Sequence, residues 1–164
     1  MTSTAPLSSS AAGGAVVPQV RIASLPDVAP ENYKAMRAVA ASVRLDDELR
    51  QLIDIRVSQI NGCAFCLDMH FADARRIGVS DQKLDTVAAW RESPFFSARE
   101  RAALDLAEAM TRLADGGHVA DAVYDEAAAQ FGDELPQVLF AVTVINGWNR
   151  LMVTAQTPPL SFRG

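Results

Sequence analysis

The stretch VLFAVTVI, residues 138–145, decides the fold class. Five of its eight residues are β-branched, a composition that suits a central strand as well as a buried helix. No hairpin turn and no second strand-like run lies beside it. Asp133-Glu134-Leu135-Pro136 leads into it, with acidic residues and a proline where a helix begins. The apolar content continues through INGWNRLMVTA before Pro158-Pro159-Leu160 stops it. A run of that length is too long for an ordinary strand, so it reads as a buried helix capped by Asp133.

Working outward, every other segment also reads as helix. Residues 120–131 form one, ended by Gly132, and ADGGHV at 114–119 breaks the chain before it. Ser97-Ala98-Arg99-Glu100 has the spacing of a capping box and opens a long helix, RERAALDLAEAMTRLA. Ser93-Pro94-Phe95-Phe96 is a loop, and Ser80 opens a helix running towards Trp90. Before that, CAFCLDMHFADARRIG carries Arg75 and Arg76 in its last turn and Gly78 just beyond, the usual charge and stop signals of a C-terminus. Asp46 or Asp47 caps a preceding helix whose Leu49, Leu52, Ile53, Val57 and Ile60 form one apolar stripe. The first helix starts near Pro30. The chain is therefore predicted to be an all-α domain of about seven helices over residues 19–164, preceded by a flexible Ser/Ala/Gly-rich tail over residues 1–18.

Composition narrows the function. The 164 residues are 49% apolar, enough for a core without disulfide support. A net charge of -5 argues against nucleic-acid binding, which needs a basic face. No apolar run reaches the about 18 residues of a membrane span, and no basic start precedes the apolar N-terminal residues as a secretory signal requires. The expected compartment is the reducing cytosol, where two cysteines three apart serve catalysis or metal binding more often than permanent cross-linking.

Both cysteines and one of the two histidines fall within NGCAFCLDMH, residues 61–70. With Asn61 as N-cap, Cys63 lies in a first helical turn, where unpaired N–H groups and the helix dipole favour a thiolate. Cys66, three residues on, is within reach of a disulfide. His70 is four residues after Cys66 and shares its face, so its imidazole can take a thiol proton. Competing readings are two cysteines present for packing alone and a zinc site of Cys63, Cys66, His70 and His118, which lacks a second knuckle. A thioredoxin-type motif needs a strand before its helix, and none is predicted.

The stretch LRQLIDIRVSQINGCAFCLDMHFADARRIGVS, with FSARERAALDLAEAMT and VINGWNRL downstream, resembles the alkylhydroperoxidase D-like proteins of the carboxymuconolactone decarboxylase family, over roughly residues 30–155. The resemblance implies an all-helical fold in trimers or hexamers and peroxide reduction by a cysteine pair, with electrons from a dihydrolipoyl protein. It implies that Cys66 attacks the peroxide, that Cys63, taken as the more exposed sulfur, resolves the product and meets the reductant, and that His70 relays the proton. No cofactor beyond the sulfurs is expected. Where the family motif places a glutamate, twelve residues before the first cysteine, this chain has Gln51. An amide can orient a water or an imidazole but cannot accept a proton, and in the peroxidase reading Gln51 is expected to hold a relay water. Asp47, Glu48 and Asp54 lie nearby; Glu48, one turn away, is a candidate substitute carboxylate, and all three are expected on a solvated helix face.

Three activities follow as alternatives: a thiol peroxidase acting on organic hydroperoxides or hydrogen peroxide; a redox-sensing or chaperone-like oligomer without sustained turnover, motivated by Gln51; and a decarboxylase-type enzyme, which has no need of the cysteines. Asp68 and His118 are expected at the surface. Phe140 and Trp148 are expected in the core or a subunit contact, and Arg150 in a pair across an interface. Phe65 either packs in the core or shapes an apolar entrance.

Overall fold

The computed structural model describes residues 19–162; the predicted tail over residues 1–18 lies outside the described residues. Nine α-helical segments follow one another among them: α1 (Leu25–Val28), α2 (Pro30–Ser42), α3 (Asp47–Asn61), α4 (Ala64–Arg76), α5 (Asp81–Thr86), α6 (Ala98–Thr111), α7 (Leu113–Gly116), α8 (Asp121–Phe131) and α9 (Leu135–Ala155). Two of these, α1 and α7, are single turns. The other seven are the helices expected from sequence, and VLFAVTVI lies in the N-terminal half of α9.

Local signals account for most of the boundaries. Asp46 caps α3 by accepting from the Leu49 N–H, and Ser80 caps α5 by accepting from Lys83 N–H. Ser97 and Glu100 close both halves of the predicted capping box. Besides the α3–α4 turn, three boundaries differ from expectation. The helix from Ser80 gives way after Thr86 to a 3-10 turn, Val87–Ala89, and so stops short of Trp90. The ADGGHV break contains the single turn α7, closed by Gly117 in the left-handed region. Asp133 does not cap α9: residues Gly132–Glu134 form a 3-10 turn that runs straight into it, so no side chain is needed there.

Helix α3 is the centre of the domain and packs against α4, α6 and α9. Its Leu49, Ile53 and Val57 face one core cluster, with Ala103 and Leu106 of α6, Phe131 of α8 and Val138, Val142 and Ile145 of α9. Its Leu52 and Ile55 face a second cluster with Ala74, Leu84, Val87, Trp90, Phe96 and Leu104. A helix buried on two sides needs apolar residues around most of its circumference, as the LIDI run supplies. The stretch Asp121–Phe162 contains a window long and apolar enough to cross a membrane by length and composition, although the sequence shows no unbroken run of that kind; 44% of that window is buried within the domain.

Between the fourth turn of α9 and the end of α3 lies a polar seam. The Asn61 amide donates to Asn146 Oδ1 and Asn149 Oδ1, each at 2.9 Å, and Asn149 donates to Ser58 Oγ at 3.0 Å. Asn149 and Ser58 are fully buried. These bonds tie α9 to the turn from which the cysteine helix starts. Arg150, expected in an intersubunit pair, is exposed and donates to the Asn146 carbonyl and side chain one turn back. Phe140, expected in the core or a contact, is 55% exposed.

Candidate active site

The site is built on the α3–α4 turn. Asn61 is the last residue of α3 rather than the N-cap of α4. Gly62 closes α3 with φ of 67°, a left-handed conformation in which only glycine is unstrained, and Cys63 is itself the N-cap of α4. A single glycine suffices to turn the chain, so the second helix starts two residues later than expected and Asn61 is free to join the polar seam. Cys63 Sγ accepts from the Cys66 N–H at 3.3 Å, in the position a serine oxygen would take in an ordinary cap. The dipole environment inferred for Cys63 therefore acts at the N-cap, two positions earlier in the helix than expected.

Cys63 and Cys66 are joined as a disulfide, with Cα atoms 5.4 Å apart. Cys63 is not the more exposed sulfur: the two residues are 1% and 2% exposed. What separates them is a cavity of about 290 Å3, which Cys66 lines and Cys63 does not. His70 lines the same cavity, together with Tyr33, Arg37, Phe65, Trp148 and Met152. Tyr33 and Trp148 meet edge to face at 5.2 Å between ring centres, so α2 and α9 close the wall opposite α4. Phe65 and Trp148 both line the cavity while packing against the main core cluster, so the core and entrance readings of Phe65 hold together and Trp148 packs on the core as expected. His118 is exposed at the Gly116-Gly117 break, and the disulfide occupies both sulfurs that the zinc reading requires.

His70 Nδ1 lies 2.9 Å from Gln51 Oε1. An amide oxygen only accepts, so the ring carries its proton on Nδ1 and leaves Nε2 as the basic nitrogen. The contact is direct, so Gln51 orients the imidazole itself, one of the two partners expected for its amide. Asp54 Oδ2 stands 3.7 Å from the same Nδ1 and accepts from Arg50 Nε at 2.9 Å. Asp54 is 3% exposed, which overturns its expected place on a solvated face; Asp47 is exposed as expected, and Glu48 pairs with Lys83 Nζ at 2.6 Å. Burial pulls the His70 ring below its ordinary value, partly offset by the Asp54 charge and reinforced by Arg50. Burial likewise pushes the Asp54 carboxyl above the usual carboxylate range, against the pull of His70 and Arg50. The histidine therefore rests neutral near pH 7, the form that accepts a proton.

The profile described as the carboxymuconolactone decarboxylase family matches residues 29–109. The uncharacterized protein YdfG of Bacillus subtilis is 37% identical over 131 residues, covering 77% of this chain and 88% of YdfG. The chain belongs to the carboxymuconolactone decarboxylase family. A solved structure from Agrobacterium tumefaciens, of unknown function and named as a prospective antioxidant defence protein AhpD, is 36% identical with a TM-score of 0.81, over 86% of this chain and 98% of that one. An uncharacterized peroxidase-related protein from Silicibacter is 25% identical with a TM-score of 0.70, over 82% and 74%.

Within this family fold, the four residues singled out from sequence, Gln51, Cys63, Cys66 and His70, come together in two bonded pairs, one sulfur–sulfur and one amide–imidazole. Tyr33, Arg37, Arg50 and Asp54 were not among them. Tyr33 and Arg37 carry no signal in the sequence, because α2 reaches the site only through the tertiary fold. Asp54 did carry one: an acid between two isoleucines, Ile53 and Ile55, on a helix buried on both sides.

Proposed function

We propose that this protein is a thiol-dependent peroxidase-like oxidoreductase that reduces organic hydroperoxides or hydrogen peroxide through Cys66 and Cys63. The observation that carries the proposal is that one cavity is lined by Cys66 and His70 together, while Cys63 lies behind, within bonding reach of Cys66. In the reduced protein His70 takes the Cys66 thiol proton. The thiolate attacks the distal oxygen of the hydroperoxide, the O–O bond breaks, and Cys66 becomes a sulfenic acid. The alkoxide leaving group takes the proton back from His70 and departs as an alcohol, or as water from hydrogen peroxide. The Cys63 thiol condenses with the sulfenic acid, releasing water and forming the disulfide. A dithiol, such as a dihydrolipoyl group on a partner protein, returns both thiols by exchange and is itself oxidised to a disulfide. Gln51 fixes the ring tautomer throughout.

The apolar wall of Phe65, Trp148 and Met152 favours an organic over an inorganic peroxide. The family resemblance supports a homotrimer or homohexamer, and the exposed Phe140 on α9 offers apolar surface for such a contact. The decarboxylase-type alternative gives the disulfide no task; the sensor alternative keeps the pair and omits turnover. Peroxide consumption with dihydrolipoamide as donor separates them. Sustained turnover that Cys66→Ser abolishes is expected. A rate untouched by that substitution overturns the mechanism, and a single stoichiometric oxidation without turnover assigns the sensor role.

A further inference from the structure

Gln51 stands where the family motif calls for a carboxylate, yet the site is not without one. Counted from the Gly62 turn, Asp54 lies eight residues back along α3 and His70 eight residues on along α4. Equal lengths of helix bring these two level, and a short side chain spans the gap. Gln51 sits three residues further from the turn, about 4.5 Å along the helix axis, and needs its longer side chain to reach the ring. Of the α3 carboxylates, Asp47 is exposed, Glu48 is held by Lys83, and Asp54 alone reaches the imidazole.

Asp54 has no evident structural reason to be there. It is buried between the apolar residues Ile53 and Ile55, its Oδ2 takes one bond from Arg50, and its Oδ1 is buried with no hydrogen-bond partner among the described residues. An orphaned buried carboxylate oxygen opposes folding, and residues that oppose folding while facing a cavity are characteristic of functional sites. Asp54 also lines the cavity with Cys66 and His70.

We propose that the carboxylate of this site has moved one helical turn, from position 51 to Asp54, and that Asp54 is the positioning residue that stabilises the His70 imidazolium formed when Cys66 ionises. Gln51 and Asp54 then divide the task one glutamate would perform. Gln51 accepts the Nδ1 proton and orients the ring; Asp54 supplies the charge. Arg50 moderates that charge from the same helix. The other charged groups facing the ring are Arg37, from α2 across the cavity, and Asp73, from the next turn of α4; α9 contributes the uncharged Ile145, Trp148 and Met152. The proposal rests on the peroxidase reading for its purpose, although not for its test.

The test uses the full-length reduced protein and iodoacetamide, whose reaction with Cys66 follows the thiolate fraction, measured against pH in a Cys63→Ser background. Asp54→Asn is expected to raise the midpoint of that profile by about one pH unit, as loss of a neighbouring charge does. It is also expected to slow peroxide oxidation of Cys66 about tenfold, with a melting temperature no lower than that of the parent. Adding Gln51→Glu to Asp54→Asn restores the midpoint by returning the carboxylate to the position of the motif. Asp54→Ala is the second arm: it removes the charge without placing an amide in the buried site, and it raises the midpoint in the same way. An unmoved Asp54→Asn midpoint with a lowered melting temperature overturns the proposal and makes Asp54 structural. Should Asp54→Asn fail to fold, an Asp54→Ala midpoint that does not rise overturns it. If peroxide does not oxidise the parent at all, the function reading fails while the alkylation profile still decides the role of Asp54.

Discussion

Replacing Asn149 by alanine should reveal how much the polar seam holds the cysteine turn in place. Asn149 is fully buried and bonds on both sides, accepting from Asn61 and donating to Ser58. Asn61 keeps its second acceptor, Asn146 Oδ1, so that side loses about 1 kcal/mol, the net worth of one neutral hydrogen bond. Ser58 is fully buried and loses the Asn149 amide, which leaves its hydroxyl unpartnered at about 1 to 2 kcal/mol. The space vacated by the amide adds roughly 1 kcal/mol. The sum is about 3 kcal/mol, or a fall in Tm of around 10 °C for a domain of this size. Urea denaturation of the oxidised protein at fixed protein concentration measures it as a shift in midpoint at constant slope. The exposed Thr143 on the same helix provides a control, with Thr143→Ala within about 0.5 kcal/mol of the parent. An Asn149→Ala loss below about 1 kcal/mol with an unchanged slope would refute the view that the seam secures α9 to the α3–α4 turn.

Two further outcomes are expected. His70 is held below its ordinary value of 6.5 by burial, so its stabilising contribution is complete above that pH and declines as pH falls towards the lowered value; in an Asp54→Asn background, which removes the opposing titration of the neighbouring acid, His70→Gln should therefore flatten the acid side of the stability curve, and parallel curves would contradict this. Ser97→Ala removes the bond to the Glu100 N–H and one half of the capping box of α6, and should lower stability by about 1 kcal/mol in thermal denaturation.

The fold was legible where local chemistry is decisive. The Ser97 box, the Asp46 and Ser80 caps, Pro30 and Pro136 in first turns, and the β-branched run in α9 each carry their own signal. What was not legible depends on how helices meet. Asn61 looks like a cap because its type suits one, and only the left-handed Gly62 shows that the helix boundary falls after it. Asp54 looks like a surface acid because α3 shows one obvious apolar stripe; the second cluster of Leu52 and Ile55, which buries its other side, appears only with α5 and α6 in place. For the site, spacing along one helix gave Cys63, Cys66 and His70, and the motif gave Gln51. Tyr33 and Arg37 come from a distant helix, and no pattern within their own segment distinguishes them from ordinary helical residues.

The two tryptophans stand in different places, and this makes the protein its own optical gauge. Trp90 is packed in the cluster on the far side of α3, with its indole N–H held by Glu108. Trp148 borders the chamber that Cys66 opens into. Disulfides quench nearby indole emission, so oxidation and reduction of the sulfurs fall mainly on one fluorophore while the other supplies a steady baseline. Turnover can be watched in the unlabelled protein, and the Trp148→Phe variant should go dark to it.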